Sequence, residues 1–200
     1  MATAAPFFIC TMFGKRINTL YKGIDKLDKE AGKFALSIAI FSSNLSNVIG
    51  YSRRISSQLY LAYMRMIIDA CTDVKAALVV ANKPKYYKHY LSGKETRAFK
   101  IGDQYLTNNY LLQLLEEDYE GITEIYKYCC KWVHPTNFQI VRLGKYRNKG
   151  EEYIGYRGRT YTKMKPELKD IKADFEQCQL ILIELMHKLR SHYRIAAKTS

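Results

Sequence analysis

Apolar residues recur along most of this chain at alternating steps of three and four, which is the signature of one buried helical face. The first stripe reads Ile17, Leu20, Tyr21, Ile24, Leu27, Ala31, Phe34, Ile38, Phe41, Leu45 and Val48. It predicts a long helix starting near Lys15. Gly23 and Gly32 each weaken that helix by about 1 kcal/mol relative to Ala, so a break or bend near Gly32 is allowed. The charged residues of its first half lie off the stripe. Ser42, Ser43, Asn44 and Ser46 leave the second half with less charge, which points to a partner surface. Gly50 is a natural stop.

A second stripe, Ile55, Leu59, Tyr63, Met66, Ile67, Ala70, Cys71, Val74, Ala77, Leu78 and Ala81, predicts a helix from about Ser52 to Ala81. Asn82-Lys83-Pro84 ends it, because the residue before a proline avoids the helical region. Period is then lost from Lys85 to Gly102. In that stretch Lys85-Tyr86-Tyr87-Lys88-His89-Tyr90 interleaves cations with aromatics, as single-strand nucleic-acid surfaces do. Between Gly93 and Gly102 a loop or a short extra helix is expected.

A third helix is expected from Asp103, or from Thr107 as a later cap, to a dependable stop at His134-Pro135. Its stripe is Leu106, Tyr110, Leu111, Leu114, Leu115, Tyr119, Ile122, Ile125, Tyr126, Cys129, Trp132 and Val133. Gly121 is one weakening residue within it. The segment from Asn137 to Lys165 differs in kind. Short β-rich runs flank a Gly/Asn turn, which points to a hairpin or an irregular excursion. Pro166 then opens a last helix whose stripe is Leu168, Ile171, Phe175, Cys178, Leu182, Leu185 and Leu189, with His187 off it. Its tail from Ile195 is expected to fray. The fold these patterns imply is all-α: a single domain over residues 1–200, built as a bundle of four long amphipathic helices with a short β-like basic excursion between the third and fourth.

Composition narrows the function classes. The chain has 200 residues, a 48% hydrophobic fraction and a formal net charge of +13. That is enough for one domain with a real core, and the charge favours an anionic partner, nucleic acid above all. The alternative is a Lys-rich solvated surface. The excess is concentrated between residues 142 and 165. There Arg142, Lys145, Arg147, Lys149, Arg157, Arg159, Lys163 and Lys165 face only Glu151 and Glu152, with Tyr146, Tyr153, Tyr156 and Tyr161 interleaved. This is the candidate RNA-binding surface. No apolar run reaches the length of a membrane span and no secretory signal is evident, so a cytoplasmic protein without membrane association is expected. The five cysteines include no Cys-x-x-Cys pair, and Cys71 and Cys178 read as small buried hydrophobes. No cofactor motif and no metal signature is present, so neither a cofactor nor a metal site is expected.

The stretch Ile125 to Asn137 concentrates the remaining chemistry. Lys127 and His134 are seven residues apart, about two helical turns, and can share one face. A cation could stabilise a phosphorane-like charge while the imidazole moves a proton, the minimum for metal-independent RNA cleavage. The alternative is a helix-end His134 that satisfies last-turn carbonyls or packs on Trp132. Arg65 and Asp69, four apart, can pair on the second helix, as an ordinary surface ion pair or as a support for the site.

Arg65-Met66-Ile67-Ile68-Asp69, Glu117-x-Tyr119, Tyr126 and Trp132-Val133-His134-Pro135-Thr136 together resemble bacterial HEPN-like proteins of the HEPN superfamily. The resemblance covers about the middle third of the chain. It implies a helical bundle, an RNA-directed activity and a homodimer whose two motifs face one cleft. It also implies a role in bacterial defence or in a toxin–antitoxin system, with a cognate antitoxin or other partner protein. His134 matches the family's histidine. Its arginine is absent, since no Arg lies between Tyr110 and His134, and Lys127 stands at the upper-limit spacing. On this reading His134 is the general acid/base, Lys127 its electrostatic partner, and Arg65 and Asp69 orient the site. Catalytically silent members of the family act as dimerisation or protein-interaction modules. That alternative, and an RNA binder without chemistry, stay open.

Overall fold

A computed structural model describes residues 5–51, 57–133 and 165–199 of the chain. Within them lie seven α-helices and one two-stranded sheet, so the all-α expectation holds. The first two helices, α1 (Ala5–Asp25) and α2 (Lys29–Tyr51), form an antiparallel hairpin. The expected single helix is therefore two, and it begins ten residues earlier than Lys15. The break falls at Lys26-Leu27-Asp28, where the Asp28 carboxylate accepts the Ala31 N–H at 2.7 Å and caps α2. Gly32 marks the crossing. A Cβ there would lie 2.6 Å from the Asp25 Cα, so only glycine lets the first turn of α2 pass the end of α1. Both arms turn their apolar face inward, with Ile17, Leu20 and Ile24 opposite Phe34, Ala35 and Ile38 in the core. A stripe that continues in phase through the turn explains why the two helices read as one.

The third helix, α3 (Ser57–Val79), is the central element and packs on most of the others. It buries Tyr60, Leu61, Met64, Ile67, Ile68, Cys71 and Val74. Leu59 is exposed, and Tyr63 and Met66 are only partly buried, so the stripe expected from spacing covers just one side of the observed contact surface. A helix apolar around more than half its circumference belongs inside a bundle, and a one-face reading must miss part of it.

A short helix, α4 (Lys83–Leu91), follows directly. Asn82 caps it by accepting the Lys85 N–H at 3.1 Å, and Pro84 sits in its first turn, a favoured place. Tyr86 and Tyr87 are fully buried against Phe34, with ring centroids 5.8 and 5.1 Å away. These two tyrosines are core, not base-stacking surface. A 3₁₀ turn at Thr96–Ala98 leads into the antiparallel pair β1 (Lys100–Ile101) and β2 (Gln104–Tyr105), joined through Gly102 at φ +58°.

The expected third long helix is also two, α5 (Asn108–Asp118) and α6 (Ile122–Val133). Thr107 is the cap, accepting the Tyr110 N–H at 3.3 Å. Gly121 is the break rather than a weak point within a helix, with φ at +87°. The Glu116 carboxylate closes this corner, accepting the Gly121 N–H at 2.6 Å and the Thr123 N–H at 2.8 Å. The last helix, α7 (Lys165–Thr199), runs for 35 residues and includes the tail from Ile195. It lies along α3 and α1, burying Phe175, Cys178, Leu182, Leu185 and Leu189. Among the described residues no helix is long and apolar enough to cross a membrane. Of the segment from Asn137 to Lys165, expected to be a β-like basic excursion, all but Lys165 lies outside the described residues, and Lys165 opens α7.

Candidate functional site at the junction of α3, α5 and α6

Three helices meet at the side chains the resemblance singled out. Arg65 and Asp69 are one turn apart on α3, and the Arg65 Nε lies 3.9 Å from an Asp69 carboxylate oxygen. Tyr126 and Cys130 are one turn apart on α6. The Arg65 guanidinium sits 5.8 Å from the centre of the Tyr126 ring. From α5, the Asn108 amide donates to the Tyr126 hydroxyl at 3.1 Å. The Tyr126 hydroxyl also reaches both Arg65 and Asp69. Tyr126 is thus the hub of a small polar cluster whose Arg65 and Asp69 side chains stay partly exposed.

The electrostatics follow from partial burial. Burial raises the Asp69 carboxyl, against Arg65 and the Tyr126 hydroxyl, which hold it down; the net shift is upward. Burial also raises the Tyr126 phenol and the Cys130 thiol, so both stay protonated at neutral pH. Burial pulls the Arg65 guanidinium down, but the Tyr126 hydroxyl, Cys130 and Asp69 outweigh it, leaving a firm cation. The Arg65 side chain keeps 24% of its surface exposed, so an anion arriving from solvent can reach it. The cluster offers a positioned cation for meeting negative charge, with the Tyr126 hydroxyl spent on holding it in place.

The other site residues fare differently. Lys127 is on the exposed side of α6, its ammonium 2.9 Å from the Glu124 carboxylate in an i,i+3 pair. It stands one residue, about 100° around the helix, from Tyr126. His134 lies outside the described residues, one position beyond the end of α6. So do Arg142, Lys145, Arg147, Lys149, Arg157, Arg159 and Lys163. Asn108 and Cys130 were not singled out from the sequence. The spacing of Tyr126 and Cys130 was a usable signal for the second, whereas Asn108 joins the cluster only because α5 and α6 fold back at Gly121. Cys71, Cys129 and Cys178 are fully buried, their thiols pushed up by burial, as inert apolar residues should be. Among the described residues no three His, Cys, Asp or Glu side chains gather as metal ligands would.

No family model, no curated protein and no solved structure matches this chain.

Proposed function

We propose that this protein is an RNA-directed, HEPN-like helical domain acting as a metal-independent ribonuclease in a bacterial defence or toxin–antitoxin setting. The observation that carries the reading is the Arg65 guanidinium, held by Asp69 and Tyr126 against the face of α6 that bears Cys130. His134 follows Cys130 by four residues in the sequence, the spacing of one helical turn. In this scheme the His134 imidazole takes the proton of an RNA 2′-hydroxyl, and the 2′ oxygen attacks the adjacent phosphorus. The bond to the 5′ oxygen breaks, and that oxygen takes a proton from water or from the imidazole of a second copy. The products are a 2′,3′-cyclic phosphate and a 5′-hydroxyl. Arg65 meets the charge that develops on the phosphoryl oxygens, with Lys127 a second cation nearby in sequence and Asp69 orienting Arg65. The basic segment from Arg142 to Lys163 holds neighbouring phosphates.

The test is incubation of labelled single-stranded RNA with wild-type protein and with His134→Ala, with and without chelator. The expected result is cleavage by wild type in both conditions and none by the variant, with binding retained. Intact RNA after long incubation with wild type sinks the ribonuclease reading.

A second reading, a catalytically silent dimerisation or protein-docking module, is favoured by one feature of α2. Ile40, Phe41 and Val48 are exposed there within a sector of about 100°. Sedimentation together with RNA cleavage, for wild type and for Ile40→Glu, separates the two readings: a silent module loses its assembly in the variant and leaves RNA intact in both forms, while the ribonuclease cleaves RNA as wild type.

A further inference from the structure

The strongest unassigned feature lies on the side of the molecule built by α4 and the β1–β2 turn. An open pocket of about 410 Å³ is lined by Lys85, Lys88 and His89 of α4, Ser92 and Lys94 just after it, and Phe99 and Lys100 leading into β1. Four lysines from three successive segments therefore line one concavity, and no Asp or Glu lines it. Between Lys83 and Lys100 the sequence carries six Lys or Arg against one acid, Glu95. That acid is already taken, its carboxylate gripping the Arg97 guanidinium through two hydrogen bonds. Among the described residues Lys85, Lys88, Lys94 and Lys100 enter no ion pair.

Nor do these lysines serve the helix end. The last carbonyls of α4 are met by its own following residues. Ser92 N–H donates to Lys88 O, Gly93 N–H to Tyr90 O, Lys94 N–H to His89 O, and the Ser92 hydroxyl to His89 O. The His89 ring is held by the Glu95 carbonyl at 2.8 Å and packs edge-on against Phe99 at 5.2 Å, so the pocket floor is fixed. Like charges gathered without counter-charge repel one another, and a bound polyanion relieves that repulsion. Lysine ammoniums spread around an open concavity suit a run of phosphodiesters better than one deeply buried phosphate, which favours a bidentate Arg fork. Tyr105, half exposed, adjoins this set through Lys100, whose ammonium lies 4.3 Å from its ring centre.

We propose that this pocket is a phosphate-binding site for the backbone of a single-stranded RNA, with Lys85, Lys88, Lys94 and Lys100 as its cations. The proposal rests on the RNA-directed reading above and adds a binding site remote in sequence from His134 and from the 142–163 segment.

The test uses the full chain and fluorescence anisotropy with a labelled single-stranded RNA oligonucleotide over a series of salt concentrations. The charge reversal Lys88→Glu with Lys94→Glu is compared with Lys15→Glu with Arg16→Glu, which changes net charge equally on exposed positions of α1. All four positions are exposed, and thermal melts confirm that folding is kept. The expected result is at least a tenfold loss of affinity and a salt slope flatter by about 1.4 for the pocket variant, with much smaller changes for the control. Equal losses in both variants mean diffuse attraction and overturn the site. Wild-type binding to a nucleoside triphosphate as tight as to the oligonucleotide overturns the strand and leaves a small phosphorylated ligand. Capture by phosphatidylserine vesicles through the same lysines, with RNA ignored, overturns the RNA assignment in favour of a membrane surface. Failure of wild type to bind RNA at all removes the RNA-directed reading itself, whereas RNA binding indifferent to Lys88 and Lys94 removes only this site.

Discussion

The side-chain amide of Gln179 on α7 donates to the hydroxyl of Ser46 on α2 across 2.9 Å, and both residues are buried. Ser42 is buried on the same face of α2. The weakly charged half of α2 therefore faces a helix of the same chain, one that begins more than a hundred residues later. Removing the amide leaves the Ser46 hydroxyl without its donor and opens space in the core. Gln179→Ala is expected to cost about 2 kcal/mol, lowering Tm by about 4–8 °C for a chain of this size. In a double-mutant cycle with Ser46→Ala by denaturant unfolding, the two losses should not add. Additive losses would show that the contact contributes nothing of its own.

Asp73 couples folding to pH. Its carboxylate accepts the Thr96 hydroxyl at 2.6 Å, yet burial pushes its pKa up from 3.8 to about 6, with Thr96 and Tyr90 opposing and Asp69 adding to the rise. The folded value lies above the unfolded one, so the folded state holds this proton more tightly. The contribution is fully present below about pH 4 and is lost as pH rises through about 6. Asp73→Asn keeps an oxygen for Thr96 and removes the titration. Its stability relative to wild type should rise by on the order of 2 kcal/mol between pH 4 and pH 7.5. A constant difference across that range, measured by urea unfolding, would contradict the assignment.

Gly121 joins α5 to α6 with φ at +87°, and a Cβ there would meet nothing within 4 Å. The cost of Gly121→Ala is therefore backbone strain alone, about 1–2 kcal/mol. Gly121→Asn should cost less, because Asn tolerates the left-handed region better. Thermal melts of the two variants should rank them in that order.

Tyr126→Phe removes the hydroxyl on which Asn108, Arg65 and Asp69 converge. A loss of about 1 kcal/mol in stability is expected, since the Asn108 amide is left without its acceptor. If the ribonuclease scheme holds, RNA cleavage falls while RNA affinity is kept, because the hydroxyl positions Arg65 and makes no backbone contact of its own. An equal fall in binding and cleavage would place Tyr126 outside the positioning role.

The spacing of residues alone was enough for the helical class and for the burial of Cys71 and Cys178, and it offered Thr107 as one of two starts for the third helix. All of these are local properties. Period, capping chemistry and apolar side chains act within a few residues and leave their mark in spacing. Only the tertiary structure decided that two long stripes were four helices, because a hairpin that folds one face onto itself keeps the stripe in phase through Lys26-Leu27-Asp28 and through Gly121. Only it turned Tyr86 and Tyr87 inward, since the Phe34 surface they cover comes from a different helix. The same holds for the polar cluster. Arg65 with Asp69 was legible as an i,i+4 pair, but Asn108 and Cys130 reach Tyr126 and Arg65 through the packing of α5 and α6 on α3. The four lysines around the α4 pocket follow the same rule: in sequence they are a scattered basic run, and the return of the chain from α4 into β1 sets them around one concavity.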